Sequence, residues 1–218
     1  MGVCVLVLGK SGSGKSTSLR NFEPGEVGIL NVLGKPLPFR KRLKCKNHPE
    51  YREIESWVAS GRKRAWVVDD AGYMMQLENF ARARETGYGK FTDMAVNFQK
   101  VIKAATIAPD DTITYLLMHV EDDGQGHEKV KTVGRMLDEK FCIEGACPVV
   151  IDCVVQDGVH KFVTKNDGTN LAKAPIGALP DEMDNDLKLV DTKLRDYWGL
   201  APLVDKEAEE DEKKEQDA

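Results

Sequence analysis

Short apolar runs alternate with amphipathic stretches along most of the chain. Runs of apolar and β-branched residues predict four strands, at Val3–Leu8, Val27–Leu33, Arg64–Asp70 and Thr112–Val120. Helical spacing of apolar positions predicts three helices, at Tyr51–Ser60, Phe91–Thr106 and Asp186–Trp198. Strands that alternate with helices are typical of a parallel sheet covered by helices.

The pattern changes after the fourth predicted strand. Cys147–Val155 and Val159–Thr164 read as two strands joined by the turn Gln156-Asp157-Gly158, which predicts a tight antiparallel hairpin. The expected fold class is therefore α/β, with a mostly parallel central sheet, helices on both faces and an antiparallel hairpin at the C-terminal edge.

The composition of the chain narrows the number of domains and the classes of protein that we expect. The 218 residues are enough for one domain of good size, and the formal net charge of −5 excludes a globally basic nucleic-acid binder. Five cysteines without C-x-x-C spacing, no signal peptide and no apolar run of membrane-spanning length favour a cytoplasmic protein with no membrane contact. We expect one domain at 1–204 and a charged, disordered tail at 205–218.

The strongest motif lies directly after the first predicted strand. Gly9–Ser16 reads G-K-S-G-S-G-K-S, a complete phosphate-binding loop (P-loop) of the form G-x-x-x-x-G-K-[ST], and Thr17 to Arg20 should open a helix. Its glycines allow backbone N–H groups to surround phosphate oxygens. The sequence predicts a nucleoside triphosphate held by Gly9, Lys10, Ser11, Gly12, Ser13, Gly14, Lys15, Ser16 and Thr17, with Lys15 on the outer phosphates and the Ser16 hydroxyl on magnesium.

Two carboxylates end the third predicted strand, where an open α/β sheet places its ligand crevice. Asp69 is the expected partner of Mg²⁺, and Asp70 is the expected group that polarises the attacking water. His119 ends the next strand and is a candidate sensor of the γ-phosphate.

Two other classes of P-loop protein remain open. Asp69-Asp70-Ala71-Gly72 and Thr164-Lys165-Asn166-Asp167 fit the two GTPase signatures, but no threonine lies between Ser18 and Asp69, and Val159–Thr164 looks like the return arm of a hairpin. A small-molecule (nucleotide) kinase needs an arginine-rich lid, for which Arg82 and Arg84 are the candidates.

Taken in order, these strands and motifs resemble the RecA-like ATPases, and in particular the compact phage-encoded AAA-family nucleotide-binding proteins of single-strand annealing and recombination. The resemblance covers Val3 to about Pro175 and is strongest at Gly9–Ser16. It implies ATP and Mg²⁺ as cofactors and hydrolysis of ATP. It further implies action on single-stranded DNA, head-to-tail homo-oligomers such as filaments or rings, and a possible single-strand-binding protein as partner.

The resemblance also implies a role for Lys165 as a catalytic cation that reaches the nucleotide of an adjacent protomer. One departure concerns the segment after the second strand, where RecA itself has a catalytic glutamate. Here that segment reads Leu33-Gly34-Lys35-Pro36, without a carboxylate. Either Asp70 takes this role, or hydrolysis is slow and the protein is an ATP-gated, DNA-binding scaffold.

Two basic segments give modest support for DNA binding. Six lysines and arginines fall between Lys35 and Lys46 without an acidic residue, and Arg62-Lys63-Arg64 forms a second cluster. Such local charge can follow a phosphate backbone, with Phe39 or Tyr51 as a candidate for stacking on a base.

Overall fold

The structure is a computed structural model that describes residues 2–204; the tail predicted at 205–218 lies outside the described residues. Within this part the strands are β1 (Val3–Leu8), β2 (Val27–Asn31), β3 (Cys45–Asn47), β4 (Ala65–Asp69), β5 (Ile113–Leu117), β6 (Val120–Asp122), β7 (Glu128–Val130), β8 (Val149–Gln156), β9 (Val159–Val163) and β10 (Glu182–Asp184). The α-helices are α1 (Tyr51–Ala59), α2 (Tyr73–Ala81), α3 (Gly89–Ile107), α4 (Arg135–Lys140), α5 (Ile143–Ala146) and α6 (Leu187–Trp198).

Eight of the described strands form one sheet in the order β10-β9-β8-β1-β5-β4-β2-β3. The strands from β8 to β3 are all parallel, whereas β9 runs antiparallel to both β8 and β10. The predicted fold class is therefore confirmed, with a mostly parallel sheet and antiparallel strands at one edge.

The side chains of each strand point alternately to the two faces of the sheet, and helices cover both of these faces. In β1, Cys4, Leu6 and Leu8 pack into a core with helices α1 to α3, while Val5 and Val7 pack on the opposite face with α6. Successive side chains of a strand point to opposite faces, and a strand buried on both faces must be apolar at every position. This is why the strands appear in the sequence as continuous apolar runs.

The predicted helices occur, with clear signals at their ends. In the long helix α3, six apolar positions at helical spacing are buried: Met94, Ala95, Phe98, Val101, Ile102 and Ala105. A capping box between Glu50 and Glu53 starts α1. The Asp186 carboxylate accepts hydrogen bonds from the first turn of α6, which ends at Gly199 in a left-handed conformation.

The prediction that His119 ends a strand is wrong, because β5 ends at Leu117 and His119 lies in a loop beyond it. The helix predicted after the P-loop is a short 3-10 helix at Ser16–Asn21, and Phe22 directly after it is extended. The polar segment that follows His119 includes β6 and β7, which pair antiparallel and are joined by a Glu121–Lys129 ion pair. Cross-strand charge pairing of this kind supports short polar strands.

Candidate nucleotide-binding site

The P-loop curls between β1 and the 3-10 helix, and two of its glycines have no room for a side chain. A Cβ at Gly9 would lie 2.5 Å from the Cys153 carbonyl oxygen, and one at Gly14, where φ is 105°, would lie 2.9 Å from His160 Nδ1. Only glycine accepts both this backbone conformation and this close approach. The glycine spacing of the motif therefore has a direct steric cause.

Side chains of the β8–β9 hairpin form hydrogen bonds with the P-loop and support it. The Cys153 thiol and the His160 Nδ1–H both donate to the Ser13 carbonyl oxygen, at 3.1 and 2.8 Å, and the Asn185 amide donates to Cys153 Sγ at 3.1 Å. Burial raises the pKa of the Cys153 thiol to about 11, so this thiol stays protonated and remains a donor. Sequence reasoning missed these three residues, because no local motif marks side chains that support a distant loop.

Lys15 is almost fully buried, with 6% of its surface exposed. Its Nζ donates to the carbonyl oxygens of Gly9 and Lys10, at 2.7 and 2.9 Å, and lies 3.4 Å from His119 Nδ1. Burial lowers the pKa of Lys15. The side chain is thus folded back inside the curl of the loop, at the position from which it can reach a phosphate.

Ser16 and Asp69 meet across the sheet edge, where the Ser16 hydroxyl donates to Asp69 Oδ1 at 2.9 Å. Asp69 is the last residue of β4 and is 5% exposed. Burial raises the pKa of its carboxyl to about 6, against the lowering effect of the Ser16 hydrogen bond. A hydroxyl and a carboxylate oxygen are ligands of the kind that Mg²⁺ prefers, so the two residues fit the ion.

Asp70 lies beside this pair in a left-handed backbone conformation, with φ of 61°. Lys35 Nζ is 3.0 Å from Asp70 Oδ2, and His119 Nε2 is 3.4 Å from Asp70 Oδ1. Partial burial acts to raise the pKa of Asp70, but the hydrogen bonds from His119 and Lys35 outweigh it and leave this pKa lowered. Asp70 is therefore held as a carboxylate.

The imidazole of His119 connects Lys15 to Asp70. Because Lys15 can only donate, Nδ1 accepts from Lys15 while the Nε2–H donates to Asp70, which defines one tautomer. The Tyr73 ring packs edge-on against the imidazole, with centroids 5.7 Å apart, and also lies 5.3 Å from the Lys35 ammonium.

Sequence reasoning missed Lys35 as a site residue, because in the sequence it is only one member of a basic segment. The available signal was its position shortly after β2, since the carboxyl ends of parallel strands lie along one edge of a sheet. The Asn31 side chain fixes this segment by donating to the Lys35 carbonyl oxygen at 2.7 Å.

One cleft of about 340 Å³ includes most of the predicted site residues. Those that line it are Ser11, Gly12, Gly14, Lys15, Ser16, Thr17, Asp69, Asp70 and His119, together with Lys35, Tyr73 and His160. A volume of this size falls in the range of small-ligand sites. The structure therefore brings together residues, far apart in the sequence, that are predicted to bind phosphate, to bind Mg²⁺ and to accept a proton.

Lys165 lies outside this cleft. Its exposed ammonium is 2.8 Å from an Asp181 carboxylate oxygen, and it lines a second cleft of about 630 Å³ that also includes Lys10 and Asp152. Asp152 is 4% exposed, and burial and the nearby Glu128 carboxylate raise its pKa to about 7. Within residues 2–204, Asp152 Oδ1 and Glu128 Oε2 are buried without a hydrogen-bond partner.

The segment that resembles a guanine signature has a different role in the structure. It follows β9, which is antiparallel, and the Asp167 carboxylate accepts hydrogen bonds from Thr169 and Asn170 of its own loop. The candidate lid arginine of a kinase, Arg82, is bound by the carboxylates of Glu78, Glu85 and Asp93. Neither arrangement supports the GTPase or the kinase alternative.

A glycine-rich loop between the first strand of a mostly parallel sheet and a helical turn is the arrangement of P-loop proteins. Among solved structures, the crystal structure of the RadB recombinase is similar to part of the chain, with a TM-score of 0.43 and 15% sequence identity over 74% of this chain and 80% of that chain. No protein-family model and no curated protein matches the chain. In residues 2–204 no helix is long and apolar enough to span a membrane.

Proposed function

We propose that the chain binds ATP with Mg²⁺ in the cleft around the P-loop. The observation that carries this proposal is the contact of 2.9 Å between the Ser16 hydroxyl and Asp69, which joins the loop to the end of β4. Residues 9–17 supply backbone N–H groups to the phosphates, and Lys15 supplies a cation. Bound Mg²⁺ would neutralise charge that develops on the phosphates.

Hydrolysis is the reaction that the neighbouring residues support. The Asp70 carboxylate is the group that polarises the attacking water, and Lys35 and His119 hold its two oxygens in place. Binding of phosphate by Lys15 changes the partners of the lysine, and His119 transmits this change to Asp70 through a single imidazole. The arrangement links occupancy of the phosphate site to the group that activates water.

We further propose that residues 1–204 form a RecA-like ATPase domain that acts on single-stranded DNA in phage recombination or replication, in the cytoplasm of the host. The sequence resemblance supports this role, as do the two basic segments. Head-to-tail assembly would give the exposed Lys165 access to a neighbouring nucleotide, since Lys165 does not line the cleft of its own chain. A single-strand-binding protein is a candidate partner.

Turnover with and without single-stranded DNA tests this proposal. We expect ATP hydrolysis that rises several-fold with single-stranded DNA and falls at least about 100-fold in Lys15→Ala. Lys100→Ala, an exposed position on α3, is the matched control and should leave turnover unchanged. Light scattering with ATP and single-stranded DNA reports assembly. Transfer of phosphate to a nucleoside, or a preference for guanine over adenine, would contradict the proposal.

A second candidate function is an ATP-gated DNA-binding scaffold with poor turnover. The observation that favours it is the lowered pKa of Asp70, because a carboxylate held by Lys35 and His119 is a weak base. Intact ATP binding by calorimetry together with flat, DNA-independent turnover would establish the scaffold. Calorimetry without heat for any nucleotide with Mg²⁺ would exclude both functions.

A further inference from the structure

The two basic segments of the sequence meet at a pocket that shares no lining residue with the nucleotide cleft. Lys44 and Lys46 come from the first segment and Lys63 from the second, and all three line one cavity of about 380 Å³. Val27 and Gly28, at the amino end of β2, form part of its wall. The nucleotide cleft lies at the opposite, carboxyl ends of the strands.

Two tryptophans form the aromatic wall of this cavity, which we call the Trp57–Trp66 pocket. Their rings lie 5.7 Å apart, centroid to centroid, and are inclined by 59°. Gly28 makes room for Trp66, since a Cβ there would lie 2.2 Å from the Trp66 ring. An apolar pocket with flat aromatic walls is suited to a planar ring, and its volume is sufficient for one base.

The charge of the pocket selects an anion. None of the residues that line it, all within the described part of the chain, is an aspartate or a glutamate. Lys46 is paired with Glu53 at 2.8 Å and is still 45% exposed. The eight acidic and three basic residues of 205–218 account for the whole net charge of −5, so residues 1–204 are neutral. Lysines that cluster on residues without net charge make the surface positive only at that place, and such a surface is suited to a phosphate backbone.

We propose that the Trp57–Trp66 pocket binds one nucleotide unit of single-stranded DNA, with its base against the half-buried Trp57 and its backbone against the exposed lysines Lys44 and Lys46. The proposal rests on the proposed action on single-stranded DNA and assigns a place for that contact. It replaces Phe39 and Tyr51, the stacking candidates from the sequence, by a pair of rings that the fold has placed among lysines. An aromatic surface combined with lysines is the usual composition of single-strand sites.

Intrinsic tryptophan fluorescence gives a direct readout, because Trp57 and Trp66 are two of the three tryptophans in the chain. In Trp198→Phe the remaining emission comes from the pocket. We expect oligothymidylate of about 16 nucleotides to quench this emission with the same midpoint as binding measured by anisotropy. Oligothymidylate in duplex with oligoadenylate should quench it far less.

Two further variants test the contacts separately. Trp57→Ala should weaken binding about tenfold, with partial rescue by Trp57→Phe. Lys44→Gln should weaken binding and reduce the slope of log affinity against log salt by about one. Lys103→Gln, an exposed lysine of α3 outside the pocket, is the matched control. ATP binding by calorimetry should be unchanged in all of them, which also reports that each variant is folded.

The outcomes separate this inference from the proposed function. Tight binding of oligothymidylate with unquenched emission in Trp198→Phe, or with an unaltered salt slope in Lys44→Gln, would overturn the pocket and leave the proposed function standing. Equal quenching by duplex would overturn the preference for single strands. An absence of any binding to oligothymidylate by the wild-type protein with ATP would overturn both the pocket and the proposed action on single-stranded DNA.

Discussion

The nucleotide cleft and the Trp57–Trp66 pocket differ most in how their charges are arranged. In the cleft every cation faces an anion or a carbonyl dipole, as Lys35 faces Asp70 and Lys15 faces the carbonyl of Gly9. The pocket has lysines and aromatic rings in its lining but no carboxylate. A network of opposed charges can respond to a ligand by exchanging partners, whereas a lining with lysines and no carboxylate attracts a polyanion without discriminating among its units, even though Lys46 is paired with Glu53 outside the lining.

The two sites also differ in how the side chains within each of them contact one another. In the cleft, Lys15, His119 and Asp70 form one continuous path of contacts. The pocket has its tryptophan pair and a cation–π contact of Arg62 over Trp57 at 5.4 Å. We infer that the cleft is built for chemistry and the pocket for retention, and three predictions test this division.

The largest effect is expected for Asp69→Asn. Loss of the carboxylate removes the charged partner that we assign to Mg²⁺, so ATP turnover should fall at least about 100-fold. Binding of oligothymidylate without nucleotide should be unchanged, because Asp69 does not line the pocket. This prediction is tested by measuring ATP turnover and, by anisotropy, oligothymidylate binding for the same variant. If Asp69→Asn weakened DNA binding in the absence of nucleotide as much as it lowered turnover, the two sites would not be separate.

A smaller effect is expected for Lys35→Ala. Removing this cation frees Asp70 Oδ2, and we expect kcat for ATP to fall about tenfold with little change in KM. Lys35→Arg should recover part of the rate, since a guanidinium can still pair with the carboxylate. Lys41→Ala is the matched control, because Lys41 belongs to the same basic segment but pairs with Glu23. An equal loss in Lys41→Ala would show that the effect is only one of general charge.

The smallest effect concerns the second cleft, beside Lys165. The pKa of Asp152 is about 7 in the folded chain against an ordinary value of 3.8, so the folded state binds more protons between these values and loses stability as pH rises through them. Asp152→Asn cannot ionise, and we expect it to gain about 2 kcal/mol in free energy of unfolding at pH 8 and nothing near pH 3.5.

Urea denaturation at both pH values measures this gain. Asp196→Asn, at an exposed position of α6, is the matched control and should show no comparable gain at pH 8. A loss of stability in Asp152→Asn at pH 8 would mean that the ionised carboxylate has a stabilising partner. The second cleft would then resemble the nucleotide cleft in its opposed charges.

Much of the fold was predictable because the strands of a sheet covered on both faces are apolar throughout. That property explains the apolar runs at β1, β4 and β8. The hairpin turn was predictable for a separate reason, because Asp157 and Gly158 both have positive φ and are typical residues of such turns. The short strands β3 and β10 were not predicted, since three residues at a sheet edge need no distinctive pattern. The helix expected after the P-loop is a 3-10 helix that ends at Asn21, since Phe22 is extended.

The sequence by itself determined the glycine-rich loop and the carboxylates at the end of β4, because these depend on residues adjacent along the chain. Only the tertiary structure decided that Lys35 pairs with Asp70, that Cys153 and His160 support Ser13, and that two separate basic segments converge on Trp57 and Trp66. The physical reason is the range of the interactions. Backbone curvature and strand burial are local, whereas pairing of charges and packing of rings depend on which strands become neighbours in the sheet.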